Sequence, residues 1–156
     1  MKTFFAILFL FFTVFVVWPY YHVWRLDQVV ILNDRNELSA LVEIKTVREQ
    51  IRRRLNKEVD STVGNVSNAF VDWLQDGIQR MGAEAVNRLV TLEWVREQLL
   101  SKTGPQDPPG FLDQVSYAFF DSPAGFLVRI GELGEDPVHF RLSLHAGSWR
   151  LTALYN

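Results

Sequence analysis

The chain has 156 residues, a formal net charge of −2 and no cysteine. This length fits one domain with its own hydrophobic core, and the lack of thiols excludes disulfides, cysteine nucleophiles and thiolate metal sites. The slightly acidic balance argues against a general nucleic-acid-binding protein, which is expected to be basic.

The N-terminus is an uncharged apolar run over residues 3–18, TFFAILFLFFTVFVVW. A bilayer core about 30 Å thick needs about 20 mostly apolar helical residues, and extending the run to Trp24 supplies them. We therefore predict a transmembrane signal anchor over residues 1–25. Aromatic side chains that favour the headgroup level end the run. The predicted membrane-interface residues are Trp18, Tyr20, Tyr21 and Trp24.

A cleaved signal peptide is the competing interpretation of this run. Cleavage requires small residues after the apolar segment, whereas large side chains occupy residues 17–21 here, so we predict an uncleaved anchor. Lys2 and the α-amino group favour a cytoplasmic N-terminus. The expected location is a bacterial inner membrane, with a single crossing and a periplasmic domain over residues 26–156.

Residues 26–103 are predicted to be helical. The connector over residues 25–33 is able to continue the anchor helix. Asn33 or Asp34 is expected to cap the next helix, and Glu37 follows Asp34 at the spacing of a capping box. A single helix is expected over residues 37–59. It contains a row of basic residues that we interpret as a solvated face rather than a headgroup-binding surface. These residues are Lys45, Arg48, Arg52, Arg53, Arg54 and Lys57.

Three further helices are predicted from the spacing of apolar residues, and a sheet follows them. The helices cover residues 69–81, 83–90 and 92–102, the last one capped by Thr91. A Gly- and Pro-rich linker over residues 104–110 then precedes a β part over residues 111–156. Alternation with a period of two predicts four strands, 115–121, 125–132, 138–145 and 148–155. The predicted fold class is α+β, with three to four helices packed on one face of a four-stranded antiparallel meander.

The sequence shows no catalytic constellation, and we expect no enzyme, metal or cofactor. His139 and His145 share a strand face but lie about 20 Å apart at about 3.3 Å per residue, too far to bind one metal alone. Aromatic residues of the sheet are expected to be mainly core. The alternative is an apolar pocket between helices and sheet, whose candidate lining residues are Phe119, Phe126, Phe140 and Trp149.

The order of four short motifs resembles the bacterial domain-of-unknown-function family 2939. The motifs are Trp18-Pro19-Tyr20-Tyr21, residues 41–48 (LVEIKTVR), residues 89–93 (LVTLE) and residues 149–152 (WRLT). The resemblance implies an inner-membrane protein with an exported domain, and it implies no activity. A weaker likeness is to the cone-shaped NTF-two-like and cystatin-like α+β folds.

The expected function is a binding or assembly module of the cell envelope, held at the membrane by its anchor. An envelope protein is the expected partner, with a lipid or other apolar small molecule as the second choice. The alternative from a different class is a small hydrolase or isomerase that uses Asp or His in a cone-shaped pocket.

Overall fold

The computed structural model describes residues 2–60, 84–104 and 110–155, together with residues 73, 76, 77 and 80; the side chains of residues 56–60 are outside this description. Most of the predicted helix 69–81 and of the predicted linker therefore lie outside the described residues. The helices are α1 (Lys2–Leu32), α2 (Arg35–Leu41), α3 (Ile44–Asp60), α4 (Ala85–Leu89) and α5 (Leu92–Leu100). A 3-10 helix (Leu112–Gln114) precedes the strands β1 (Val115–Ser122), β2 (Gly125–Ile130), β3 (Val138–His145) and β4 (Ser148–Tyr155).

The four strands form an antiparallel meander in the order β1-β2-β3-β4, which confirms the predicted α+β class. Alternation gives the sheet a core face and an outer face. One cross-strand row on the outer face joins Tyr117, Arg129, His139 and Tyr155. The neighbouring row on the core face joins Ala118, Val128, Phe140 and Leu154. Buried side chains of the five helices α1 to α5 lie in one cluster with the core face.

Helix α1 continues without a break through Pro19 and past residue 25, where the predicted anchor ended. Its first part, residues 2–14, is exposed, whereas much of the part that follows residue 18 is buried in the domain. The buried residues of α1 are Pro19, His22, Val23, Leu26, Asp27, Val29 and Val30. The N-terminal part of α1 is thus exposed and apolar, whereas its C-terminal part belongs to the hydrophobic core.

The helix predicted over residues 37–59 is two helices, because the chain breaks at Val42 and Glu43. Val42 forms a parallel bridge with Leu151, and the Glu43 amide donates a hydrogen bond of 2.9 Å to the Leu151 carbonyl. These contacts pair part of the edge of β4, which would otherwise expose backbone hydrogen-bonding groups. The prediction missed the break because an edge-strand contact has no local sequence signal.

Two predicted helix caps are confirmed. The Asp34 side chain accepts hydrogen bonds from the amides of Asn36 and Glu37, and α2 begins at the next residue. The Thr91 hydroxyl accepts a hydrogen bond from the Trp94 amide at the start of α5. Such caps satisfy amides that have no partner inside the helix.

The Asp27 carboxylate joins α1 to the beginning of the β part. Its Oδ1 accepts hydrogen bonds from the amides of Phe111 and Leu112, at 2.6 and 3.2 Å. Gly110 lies so close that a Cβ there would be 2.9 Å from the same oxygen, so this approach requires a glycine. Asp27 therefore fixes the chain that enters β1 against the middle of the buried helix.

We expect Asp27→Ala to destabilise the full chain in detergent micelles, as measured by urea unfolding. The buried amide of Phe111 would lose its acceptor, which costs about 1–3 kcal/mol. Asp113→Ala, which alters an exposed carboxylate on the neighbouring 3-10 helix, is the matched control and should change stability little. Equal effects of the two substitutions would contradict the role given to Asp27.

Stability should also depend on pH through Asp27. Burial raises the pKa of this carboxyl above its ordinary value and outweighs the two amide hydrogen bonds, which lower it. The folded state therefore binds the proton more tightly than the unfolded state. This contribution is fully present below the ordinary pKa of about 4 and is lost as the pH rises through the higher folded-state pKa.

The test compares the wild type with Asp27→Asn, which retains an acceptor oxygen and does not titrate. The unfolding free energy of the wild type relative to Asp27→Asn should fall as the pH is raised from about 4 to about 7. A relative stability that increases over this range would show that the hydrogen bonds to the carboxylate outweigh its burial.

Candidate functional site

The four candidate pocket residues do not line one cavity. Phe126, Phe140 and Trp149 are buried in the core, whereas Phe119 is 58% exposed on the outer face. Phe119 differs because successive side chains of a strand point to opposite faces of the sheet, and its neighbour Phe120 points to the core. Phe120 packs edge-on against both Phe126 and Trp149, with ring centroids 5.1 and 6.0 Å away.

The predicted membrane-interface residues divide between two environments. Tyr20 is 40% exposed but contacts the sheet: its hydroxyl donates a 3.1 Å hydrogen bond to the Ala118 carbonyl, and its ring packs edge-on against Phe126. Trp18 is partly buried against the core cluster. Tyr21 and Trp24 are exposed, with ring centroids 5.8 Å apart. Tyr20 and Trp18 thus attach the domain to α1, while Tyr21 and Trp24 remain on its surface.

Strand β1 runs along α1 in the opposite direction. Ala118 contacts Tyr20, and Phe120 stacks on Phe15 with the ring centroids 5.8 Å apart. The two contacts are about 7.5 Å apart along the helix, at about 1.5 Å per residue. They are about 6.6 Å apart along the strand, at about 3.3 Å per residue. The β1–β2 turn therefore points toward the N-terminal, apolar end of α1.

An ion pair crosses the sheet beside this turn. Arg141 Nε lies 2.8 Å from Asp121 Oδ2, and a second guanidinium nitrogen bonds to Asp121 Oδ1 and to the Ser122 hydroxyl at 3.2 Å. The pair passes over Gly125, where a Cβ would clash with the Asp121 carboxylate and the Arg141 guanidinium. The pair has no local sequence signal, because it joins strands that are separated by β2.

The basic row of α3 is largely engaged within the protein. Arg48 donates a hydrogen bond of 2.8 Å to the Val90 carbonyl, and Arg52 donates one of 2.9 Å to Asn87. Arg53 pairs with Glu49, and the Arg54 guanidinium lies over the Tyr155 ring. These contacts use the arginines to attach α3 to α4 and to β4.

The two histidines of the outer face do not come together. His139 stacks on Tyr155 with ring centroids 5.4 Å apart, and burial lowers the pKa of this histidine. His145 lies at the other end of β3 and is exposed. Within the described ranges, no group of three or more His, Cys, Asp or Glu side chains is placed to hold a metal ion.

A shallow apolar groove lies on α1 itself. Its volume is about 570 Å³, and the lining residues all belong to the helix: Thr13, Val14, Val17, Trp18 and Tyr21. This groove is separate from the residues predicted to line a pocket between helices and sheet.

Tyr20→Phe should lower the stability of the full chain in micelles by about 0.5–1.5 kcal/mol, because the Ala118 carbonyl loses its side-chain donor. The ring contact with Phe126 would remain. Tyr21→Phe removes the same hydroxyl from an exposed neighbour and is the matched control. If both substitutions have the same effect, the Tyr20 hydroxyl does not attach β1 to α1.

Similarity to known proteins was found at the level of the family. No curated protein and no solved structure shows significant similarity to the chain. The family described as "protein of unknown function (DUF2939)" matches residues 8–97, which is more than half of the chain. The match covers α1 to α5 up to Glu97, including the exposed end of α1 from residue 8 and its buried end. The chain therefore belongs to the DUF2939 family of proteins of unknown function.

Proposed function

We propose that this protein is a single-pass membrane protein whose domain is folded directly onto its own anchor and acts as a membrane-proximal binding or assembly module. One observation carries the proposal: α1 is a continuous helix with an exposed apolar end and a buried end. The anchor and the domain therefore share one rigid element.

The exposed end of α1 favours a bilayer over water. Residues 4–12 include eight large apolar side chains that are each more than half exposed: Phe4, Phe5, Ile7, Leu8, Phe9, Leu10, Phe11 and Phe12. Contiguous apolar surface of this kind is uncommon on soluble proteins and is typical of membrane or protein contacts. Among the described residues, α1 is the one helix long and apolar enough to cross a membrane, a criterion that signal sequences also meet.

The packing of α1 supports an uncleaved anchor. A signal peptidase would cut after the apolar run, but Phe15, Val16 and Trp18 at the end of this run are already partly buried and the next residue, Pro19, is buried. Cleavage there would remove the contacts that Phe15 and Trp18 make with the domain. We further propose a bacterial inner membrane with the domain on the periplasmic side, since Lys2 and the α-amino group favour a cytoplasmic N-terminus.

The rigid joint supports a binding or assembly role. Because the same helix enters both bilayer and core, each surface of the domain keeps a fixed height and orientation above the membrane. That property suits recognition of a membrane-associated protein partner. Phe126, Phe140 and Trp149 are packed in the core, which favours such a partner over a small molecule held between helices and sheet.

Membrane insertion is tested with the full chain in bacterial cells. The wild type should stay in the membrane fraction after alkaline carbonate washing, with an intact mass of 18.1 kDa. Leu8→Arg combined with Phe11→Arg should release it, since each arginine costs about 2.5–3.5 kcal/mol near the middle of a span. The control is Leu8→Ile combined with Phe11→Leu. A shorter mature protein, or a wild type removed by carbonate, would overturn the proposal.

Sidedness is tested separately on the cysteine-free background. A Glu135→Cys variant places a thiol on an exposed turn of the domain. A membrane-impermeant maleimide should label it once the outer membrane is permeabilised and the inner membrane is intact. Labelling only after the inner membrane is broken would place the domain in the cytoplasm.

A further inference from the structure

We propose that one end of the sheet enters the bilayer interface beside α1 and forms a second contact with lipid. We call this end the foot of the sheet; it comprises residues 119–125 and the β3–β4 turn at residues 145–148. This inference rests on the proposed function, because it requires α1 to span the membrane.

The length of α1 determines which of its residues lie within the membrane. The freely exposed residues 2–14 extend about 20 Å at about 1.5 Å per residue. The hydrocarbon core is about 30 Å thick, so the helical residues after residue 14 must span the remaining distance of about 10 Å. At about 1.5 Å per residue, these residues extend to about Tyr21. Residues 15–21 must therefore lie within the bilayer, although the domain is packed against several of them.

The contacts of β1 set the depth of the foot. Phe120 stacks on Phe15, so it lies at the level of a residue that the span requires to be within the bilayer. Ala118 is held at the level of Tyr20, near the membrane boundary. The antiparallel pairing then places the β1–β2 turn and the β3–β4 turn at this same end of the sheet.

Charge divides the two ends of the sheet in the way this placement requires. The turns of the foot read Ser122-Pro123-Ala124-Gly125 and His145-Ala146-Gly147-Ser148, without Asp, Glu, Lys or Arg. The turn at the opposite end, residues 131–137, contains Glu132, Glu135 and Asp136. An acidic turn faces water readily, whereas charged groups near hydrocarbon are costly.

The charged side chains near the foot are paired with each other. Asp121 and Arg141 form the two-point ion pair over Gly125. Arg150, which lies opposite Ser143 near the β3–β4 turn, pairs with Glu43 at 3.1 Å. Pairing lowers the cost of bringing these groups to the edge of a bilayer. Long arginine side chains can also direct their charge toward the headgroups.

Phe119 supplies the apolar contact. Its ring is 58% exposed on the outer face, where it sits in one cross-strand row with Leu127 and Arg141. The lipid bilayer is the occupant that we assign to this surface, because the foot is continuous with the apolar end of α1. The phenylalanine ring suits hydrocarbon and the paired arginine suits the headgroups, so the two side chains together fit the boundary between these layers.

Depth measurements on the full chain test the proposal. The natural chain has no cysteine, so single thiols for nitroxide labels can be introduced as Ala124→Cys in the foot, Leu133→Cys in the opposite turn and Phe11→Cys in the span. The protein is reconstituted in vesicles of phosphatidylcholine and phosphatidylglycerol. Collision rates with oxygen, which concentrates in lipid, are compared with those of a water-soluble nickel chelate.

The label at position 124 should collide several-fold more with oxygen, relative to nickel, than the label at position 133. Phe119→Glu in the Ala124→Cys background should lower this ratio, whereas Leu133→Glu in the same background should not. If label 11 is in lipid but labels 124 and 133 are equally aqueous, the foot does not enter the bilayer and the anchor stands. If label 11 is also aqueous, both the anchor and this inference are overturned.

Discussion

The structure depends on a single helix that has to satisfy two environments. The second half of α1 places Leu26, Val29 and Val30 in the centre of the core cluster. Removing this half would expose the inner face of the sheet and the helices packed against it. The free energy that buries these side chains therefore also fixes the direction in which the first half of α1 leaves the domain.

Several polar groups inside this core are satisfied by specific partners, although the indole nitrogen of Trp149 has none among the described residues. Asp27 accepts hydrogen bonds from the amides of Phe111 and Leu112. Arg96 donates a 2.9 Å hydrogen bond to the Val30 carbonyl of α1. Thr152, which is at the irregularity in β4, lies 2.7 Å from the Ser143 hydroxyl. Buried polar groups without such partners would be costly. The bonds to α1 therefore favour one arrangement of helix and sheet over alternatives with similar apolar contacts.

This arrangement has a consequence for the proposed role at the membrane. A domain on a flexible linker samples many orientations, whereas a domain that contains the end of its own anchor presents the same surface at the same height. The outer-face row of Tyr117, Arg129, His139 and Tyr155 remains outside the core. In the proposed orientation, that row stands above the foot of the sheet and is held at a constant distance from the lipid.

Several features follow from the sequence because their signals are local. Alternation with a period of two, bounded by turn residues, predicted all four strands, and the residue types at Asp34 and Thr91 predicted two caps. The break at Val42 and the pairing of Asp121 with Arg141 had no such signal. Each depends on residues from distant parts of the chain that only the folded sheet brings together.

The sequence by itself determined the apolar run, the α+β class and the positions of the strands. Only the tertiary structure decided where the exposed part of α1 ends and the core begins. The physical reason is that lipid and a protein interior are both apolar, so the hydrophobicity of residues 15–24 does not distinguish between them. The packing of Phe15 on Phe120 and of Tyr20 on Phe126 makes that distinction.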